Sequence, residues 1–147
     1  MQIRAAKKSD LKNVEKLFCL PELAKATGEF LSVETLANYI DDKFFLAAEE
    51  AGEIIGAMFG ERLKNAGLIL WEFAVKESAR GRGVGSALLD AFESNMAFEN
   101  RTWVILYAPA RSPKTINFYK KRGFNKGKLH VEFLKFFDNR HPKFLTK

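Results

Sequence analysis

Residues 68–96 decide the reading of this chain: Leu68-Ile69-Leu70-Trp71-Glu72-Phe73-Ala74-Val75, a polar turn, Arg80-Gly81-Arg82-Gly83-Val84-Gly85-Ser86, and a run on to Met96. The first eight are apolar apart from Glu72, and a short apolar run bounded by turn residues predicts a buried strand. Beyond the glycines, Val84, Ala87, Leu88, Ala91 and Phe92 fall at i, i+3, i+4, i+7 and i+8, one face of a helix packed on a core. A strand that enters a helix through a glycine-rich turn presents several backbone N–H groups without intrahelical partners. With the positive end of the helix dipole they form a cradle for phosphate. No Asp or Glu precedes Asp90 in this helix, so nothing in its first turn competes for that end. The pattern points to an anionic ligand of the pyrophosphate kind.

Two common phosphate motifs do not fit. No Lys-Ser or Lys-Thr directly follows these glycines, as a P-loop requires (Lys114-Thr115 lies far downstream), and Gly81, Gly83 and Gly85 are spaced G-x-G-x-G rather than G-x-G-x-x-G. The stretch Arg80–Gly85 does contain R-x-x-G-x-G, and it resembles the acyl-CoA pyrophosphate loop of the GNAT acetyltransferase superfamily. A second block supports the resemblance. Trp103-Val104-Ile105-Leu106-Tyr107 predicts another strand, and Ser112 to Phe124 follows it; Phe118-Tyr119 and Gly123-Phe124 match the F-Y-x-x-x-G-F of the second GNAT motif. The blocks stand in the family's order and separation and together cover about residues 68–124.

The resemblance implies acetyl-CoA as acyl donor and direct transfer of its acetyl group to a primary amine. It implies a pyrophosphate site across Arg80, Gly81, Arg82, Gly83, Val84, Gly85 and Ser86, with main-chain N–H groups from about Arg82 to Ser86 doing the binding. The strand end Phe73, Ala74 and Val75 would hold the pantetheine arm, with Ser112, Thr115 and Phe118 contributing from the second block. Ser112 and Thr115 replace the Asn and Ala usual there. Ser112-Pro113 has its own logic, as an N-cap followed by a proline in the first helical turn, and Gly123 reads as the left-handed cap at the other end. Tyr119 matches the family's general acid, although a Tyr beside Phe118 also reads as a packed aromatic. Glu72 is the candidate base: a carboxylate in an apolar strand is costly to bury and shifts toward a working base, whereas a solvent-facing or paired Glu is the plainer alternative. Glu61 on the neighbouring strand is the second choice. Arg80 reads as either a phosphate partner or a turn brace, and Arg82 as a rim residue.

Composition bounds the rest. At 147 residues, 47% hydrophobic and 29% charged, the sequence suits one domain (1–147) with its own core. No apolar run approaches the roughly 18 residues of a membrane span, and no leader is evident, so a cytoplasmic protein is expected. Cys19, the lone cysteine, reads as a buried thiol beside Phe18; it offers no intrachain disulfide or metal cluster, and His130 and His141 have no ligand company. The net charge of +6 is uneven. Residues 1–70 carry nine Lys/Arg against eleven Asp/Glu, whereas residues 71–147 carry fifteen against seven. A basic half suits a polyphosphorylated ligand and would also suit nucleic acid, but no RNA-module or zinc-finger spacing is present. Two alternatives to the enzyme therefore stand: a non-catalytic acyl-CoA-binding sensor and a basic nucleic-acid-binding protein. The acceptor, whether a small molecule, a protein N-terminus or a lysine, is not written in any motif. The basic balance disfavours polyamines unless Glu22, Glu29, Glu34, Asp41 and Asp42 make the pocket locally acidic. Monomer and homodimer are both compatible.

The expected order begins with a strand over 1–7, a helix capped by Ser9 carrying Leu11, Val14, Leu17 and Phe18, and a loop or broken helix over 22–31. A helix capped by Ser32 follows, then strands at 44–48, 53–63 and 68–75. A helix at 84–98, a strand at 102–108, a helix at 113–122 and terminal strands around 129–137 complete it. This α/β arrangement matches the GNAT fold, a mixed, mainly antiparallel central sheet flanked by helices.

Overall fold

The structure, a computed structural model, describes residues 1–19 and 31–128. The expectations for residues 22–30, for the terminal strands around 129–137 and for His130 and His141 lie outside the described residues. Five strands form one sheet in sequence order: β1 (Gln2–Ala5), β2 (Phe45–Glu50), β3 (Glu53–Arg62), β4 (Gly67–Val75) and β5 (Trp103–Leu106). The first three pairings are antiparallel, and β4 with β5 is parallel. A parallel pair needs a crossover, which α3 (Val84–Phe98) supplies. Helices α1 (Leu11–Phe18), α2 (Val33–Ala37) and α4 (Pro113–Lys121) complete the described frame. The result is the mixed, mainly antiparallel sheet with flanking helices that the sequence predicts.

Local chemistry explains the joints. Glu50 pairs with Glu53 around Ala51 and Gly52, both at positive φ, as a two-residue hairpin turn requires. Ser32 caps α2 by accepting the Thr35 N–H at 3.2 Å. Ser9 does not cap α1. The chain makes a single 3-10 turn at Lys8–Asp10, and the Asp10 carboxylate accepts the Lys7 N–H at 2.8 Å. The reason is electrostatic: Arg4 holds Asp10 through a 2.6 Å hydrogen bond and also grips Glu49 on β2, placing a charged acceptor at this turn. Burial pushes the Asp10 carboxyl upward, but Arg4 and the Lys7 N–H outweigh it and hold the group below its ordinary value. Cys19 is a second correction. It is exposed, one residue past Phe18 and off the buried stripe of Leu11, Val14 and Phe18.

Two apolar layers sandwich the sheet. On one face Val84, Leu88, Leu89, Phe92 and Met96 of α3 meet Phe44, Leu46, Met58, Leu68 and Leu70. On the other, Leu11, Val14 and Phe18 of α1 and Leu36 of α2 cover Phe45, Ala47, Ala57, Phe59 and Ala74. Gly60 allows the first layer to close, since a Cβ there would stand 2.7 Å from the Phe92 ring. No helix among the described residues is long and apolar enough to cross a membrane.

Candidate active site

The site begins with an irregularity in β4. Phe59 pairs with Glu72, yet the next residue of β3, Gly60, pairs with Leu70, leaving Trp71 as the extra residue of a β-bulge. Before the bulge, Leu68 and Leu70 face the α3 layer; after it, Phe73 and Val75 do. The extra residue reverses the alternation. Glu72 and Ala74 thus fall on the face of Phe59 and Ala57, toward α1 and α2. Pairing with β5 also stops here: Leu70–Leu106 is the last register pair, while β4 continues to Val75. The parallel strands part beyond that point, and a cleft of about 840 Å³ opens between them, lined by Leu70 through Val75, by Leu106, Tyr107 and Pro109, and by the glycine turn.

At the far end of β4, a 3-10 turn at Glu77–Ala79 leads into the glycines. Gly81 and Gly83 have φ of 78° and 84°, and a Cβ on either would meet nothing within 4 Å. Their requirement is conformational, because L side chains avoid this region. Gly83 stands at the N-cap of α3 without a side-chain cap, and no acid lies in the first turn. The leading N–H groups are therefore available to an anion. Gly85 is small for a different reason: a Cβ there would sit 3.3 Å from Cζ of Phe73 and 3.7 Å from Cζ of Phe118. These features fit a pyrophosphate, with open space over two left-handed glycines at an uncapped 15-residue helix.

The second wall is α4. Ser112 accepts the Thr115 N–H at 3.4 Å, and its hydroxyl lies 2.8 Å from that of Thr115, both lining the cleft. The helix ends in a Schellman motif. Gly123 (φ 85°) donates to Lys120 O, Phe124 donates to Tyr119 O, and the Phe124 and Tyr119 rings meet at 5.3 Å. Tyr119 is thereby fixed among Phe124, Phe118 at 5.3 Å and Phe73 at 6.4 Å. Burial pushes its hydroxyl up to about 12, so it keeps its proton at neutral pH. Among the described residues no protein hydrogen bond occupies that hydroxyl. Glu72, only 7% exposed, lines the same cleft. The site thus holds a protonated phenol on the α3/α4 side of the splay and a buried carboxyl on the other side.

Of the residues singled out in the sequence, Phe73, Ala74 and Val75 line the cleft from β4, and Arg80, Gly81, Gly83, Val84, Gly85 and Ser86 line it from the turn. Ser112, Thr115, Phe118, Tyr119 and Glu72 join them. Arg82 does not; its guanidinium bonds Glu50 at 2.7 Å on the β2–β3 hairpin. Arg80 donates from Nε to Val75 O at 3.0 Å, bracing the turn. Sequence reasoning did not reach Trp71, Tyr107, Pro109 and Arg111, which also line the cleft. The acids offered for a locally acidic pocket are placed differently from the two candidate bases. Asp42 bonds Arg62 at 2.5 Å, Glu22 and Glu29 lie outside the described residues, and the acidic groups at the bulge are Glu72 and Glu61. Glu61 accepts Trp71 Nε1–H at 3.0 Å and Tyr39 O–H at 3.3 Å. Among the described residues no group of three or more His, Cys, Asp or Glu is placed to hold a metal.

Comparison with known proteins bears on this geometry. The family model for the acetyltransferase (GNAT) domain matches residues 41–126. A curated relative, acetyltransferase SG1711 of Sodalis glossinidius, is 26% identical over 122 residues, covering 82% of this chain and 84% of its own. Among solved structures, Ard1 from Thermoplasma volcanium superposes with a TM-score of 0.75 at 27% identity, covering 86% of this chain and 84% of its own. The PaiA N-acetyltransferase from Thermoplasma acidophilum, in complex with coenzyme A, gives 0.76 at 20% identity, covering 88% and 92%; at that identity it speaks for the fold.

Proposed function

The chain belongs to the GNAT acetyltransferase family, and from that premise we propose that it transfers the acetyl group of acetyl-CoA directly to a primary amine, as a cytoplasmic enzyme. The observation that carries the reading is the cleft itself: one continuous opening joins an anion cradle at Gly81–Ser86 to a protonated Tyr119 and a buried Glu72.

The cradle N–H groups hold the pyrophosphate, and the β4 segment from Val75 back to Trp71, a rise of about 13 Å, guides the acyl arm to the bulge. The donor supplies a thioester. The ammonium gives up one proton to solvent before attack, and Glu72 takes the second from the attacking nitrogen, directly or through water. The nitrogen lone pair forms the new C–N bond, the C–S bond breaks, and Tyr119 gives its proton to the departing sulfur. The bulge frees main-chain groups of Trp71 from the β-ladder, where they face the reacting carbonyl. Cys19, the only thiol, is exposed at the end of α1 and does not line this cleft, so no acyl-enzyme is invoked.

The test is thiol release from acetyl-CoA across a panel of primary amines, with products identified by mass. Amine-dependent release by the wild type, reduced about 100-fold in Tyr119→Phe with acetyl-CoA affinity retained, supports the reading. Binding of acetyl-CoA with no transfer to any amine, or equal rates in wild type and Tyr119→Phe, contradicts it.

A further inference from the structure

The acceptor end of the cleft carries chemistry that the acyl-transfer steps do not use. Trp71 is 49% exposed although it belongs to β4, an interior strand of the sheet, and it lines the cleft beside Glu72. Its indole is not loose. Nε1–H is tied to Glu61 Oε2 at 3.0 Å, Glu61 Oε1 accepts the Tyr39 hydroxyl at 3.3 Å, and the Tyr39 ring rests on Phe59 with centroids 4.5 Å apart. Glu61 lies on the face of Phe59 and Glu72, because β3 alternates from Phe59 through Gly60 to Glu61. A fixed, half-exposed indole therefore lines the cleft, with the Glu61 carboxylate on its N–H and a second acid, Glu72, at the next residue. An aromatic face attracts cations, tryptophan most strongly, and an indole whose N–H is donated to a carboxylate is the more electron-rich. Among the basic side chains that line the cleft, Arg80 braces the turn after β4, and Arg111 and Lys114 lie on the approach and first turn of α4. Arg62, the cation next to Glu61 in sequence, is held by Asp42 and Glu99.

We propose that Trp71, pinned by Glu61, forms a cation-recognition wall that selects acceptors carrying a second positive charge beyond the amine that is acetylated. The proposal rests on the acyl-transfer reading and deepens it by naming the acceptor class. Trp71 binds the distal cation through its face. Glu61 acts on the acceptor through Trp71 and by its charge, as a positioning residue.

A matched pair of acceptors tests this in the full-length chain: a linear α,ω-diamine and the alkylamine of equal length, compared by kcat/KM at low ionic strength. The wild type should favour the diamine by roughly tenfold. Trp71→Leu and Glu61→Gln should bring that preference close to one, with the loss in KM for the diamine; in Glu61→Gln, at a residue outside the donor path, the acetyl-CoA dissociation constant should be unchanged. Glu61→Gln keeps an acceptor for the indole N–H, so retained melting temperature separates charge from packing. A wild type that does not discriminate, that prefers the neutral chain, or whose variants lose both acceptors equally overturns the proposal while leaving acyl transfer intact. Transfer to other primary amines but to neither of these acceptors overturns the proposal alone; transfer to no amine, with acetyl-CoA bound, removes the acyl-transfer reading with it.

Discussion

Phe59 stands opposite Glu72 across β3 and β4, although Gly60, the next residue of β3, stands opposite Leu70. That single displacement moves Glu72 to the α1/α2 face and leaves Phe73 packed toward α4, where its ring meets those of Phe118 and Tyr119 at 5.9 and 6.4 Å. The proposed base and acid therefore approach the splay between β4 and β5 from opposite sides of the sheet. Straight alternation through residue 72 would have pointed Glu72 into the α3 layer.

Removing the Glu72 carboxyl should cost rate more than donor binding. Glu72→Gln preserves shape and hydrogen-bonding capacity, so acetyl-CoA affinity should change little. kcat should fall by about 100-fold, and amines of lower pKa, less dependent on a base, should lose less. Equal losses across amines of different basicity would argue for a structural role.

Tyr119 sets an expectation for pH. An ordinary tyrosine titrates near 10, and burial raises this one to about 12. Its proton is then retained through pH 10, so kcat should show no alkaline limb near 10 from this group. Stability has a matching sign. Between pH 10 and 12 the folded state holds a proton that the unfolded chain has lost, so the raised value lowers stability as pH climbs through that window. Chemical denaturation of wild type and Tyr119→Phe should show the steeper alkaline decline only in the wild type.

The glycines should separate by cause. Gly83→Ala must hold an L side chain at a φ of 84° and should lose about 1 kcal/mol, with weaker acetyl-CoA binding. Gly85→Ala gains roughly 1 kcal/mol of helix propensity, which offsets the shift demanded of Phe73 at 3.3 Å; its stability should stay within about 0.5 kcal/mol. Urea denaturation compares them, and equal losses would contradict the distinction.

The Arg4–Asp10–Glu49 cluster makes a prediction away from the site. Asp10 is buried and charge-paired, so Asp10→Asn leaves Arg4 partly uncompensated and should cost about 3 kcal/mol at neutral pH. Asp10 is held below 3.8, so its contribution is complete above that value and disappears as pH falls through the lower folded-state value. The gap between wild type and variant should close in acid; a gap independent of pH would indicate packing alone.

The parts of the site legible in the sequence are those built from local rules. The glycine turn and the boundaries of α3 follow from left-handed positions and helical period, and Ser112-Pro113 with Gly123 frames α4 by capping. Non-local pairing was not legible. Residues 68–75 read as one uninterrupted apolar strand, so nothing marked Trp71 as the bulged residue or placed Glu72 and Glu61 on one face. Arg82 finds Glu50 on a hairpin 32 residues earlier, and Asp10 displaced Ser9 from the predicted cap only because Arg4 folds onto it from β1. Cys19 is the simpler lesson: adjacency to a buried Phe18 turns a helical neighbour about 100° away from the core.

The most direct test is the melting temperature with and without saturating acetyl-CoA, in wild type and in Gly83→Trp. Gly83 lines the cleft with nothing near its Cβ position, so the indole would occupy ligand space. At about 100 times the dissociation constant, the donor should stabilise the wild type by roughly 2.7 kcal/mol, and the shift should vanish in the variant. A wild type that does not shift at any acetyl-CoA concentration, or a variant that shifts as much as the wild type, would contradict the placement of acetyl-CoA in this cleft.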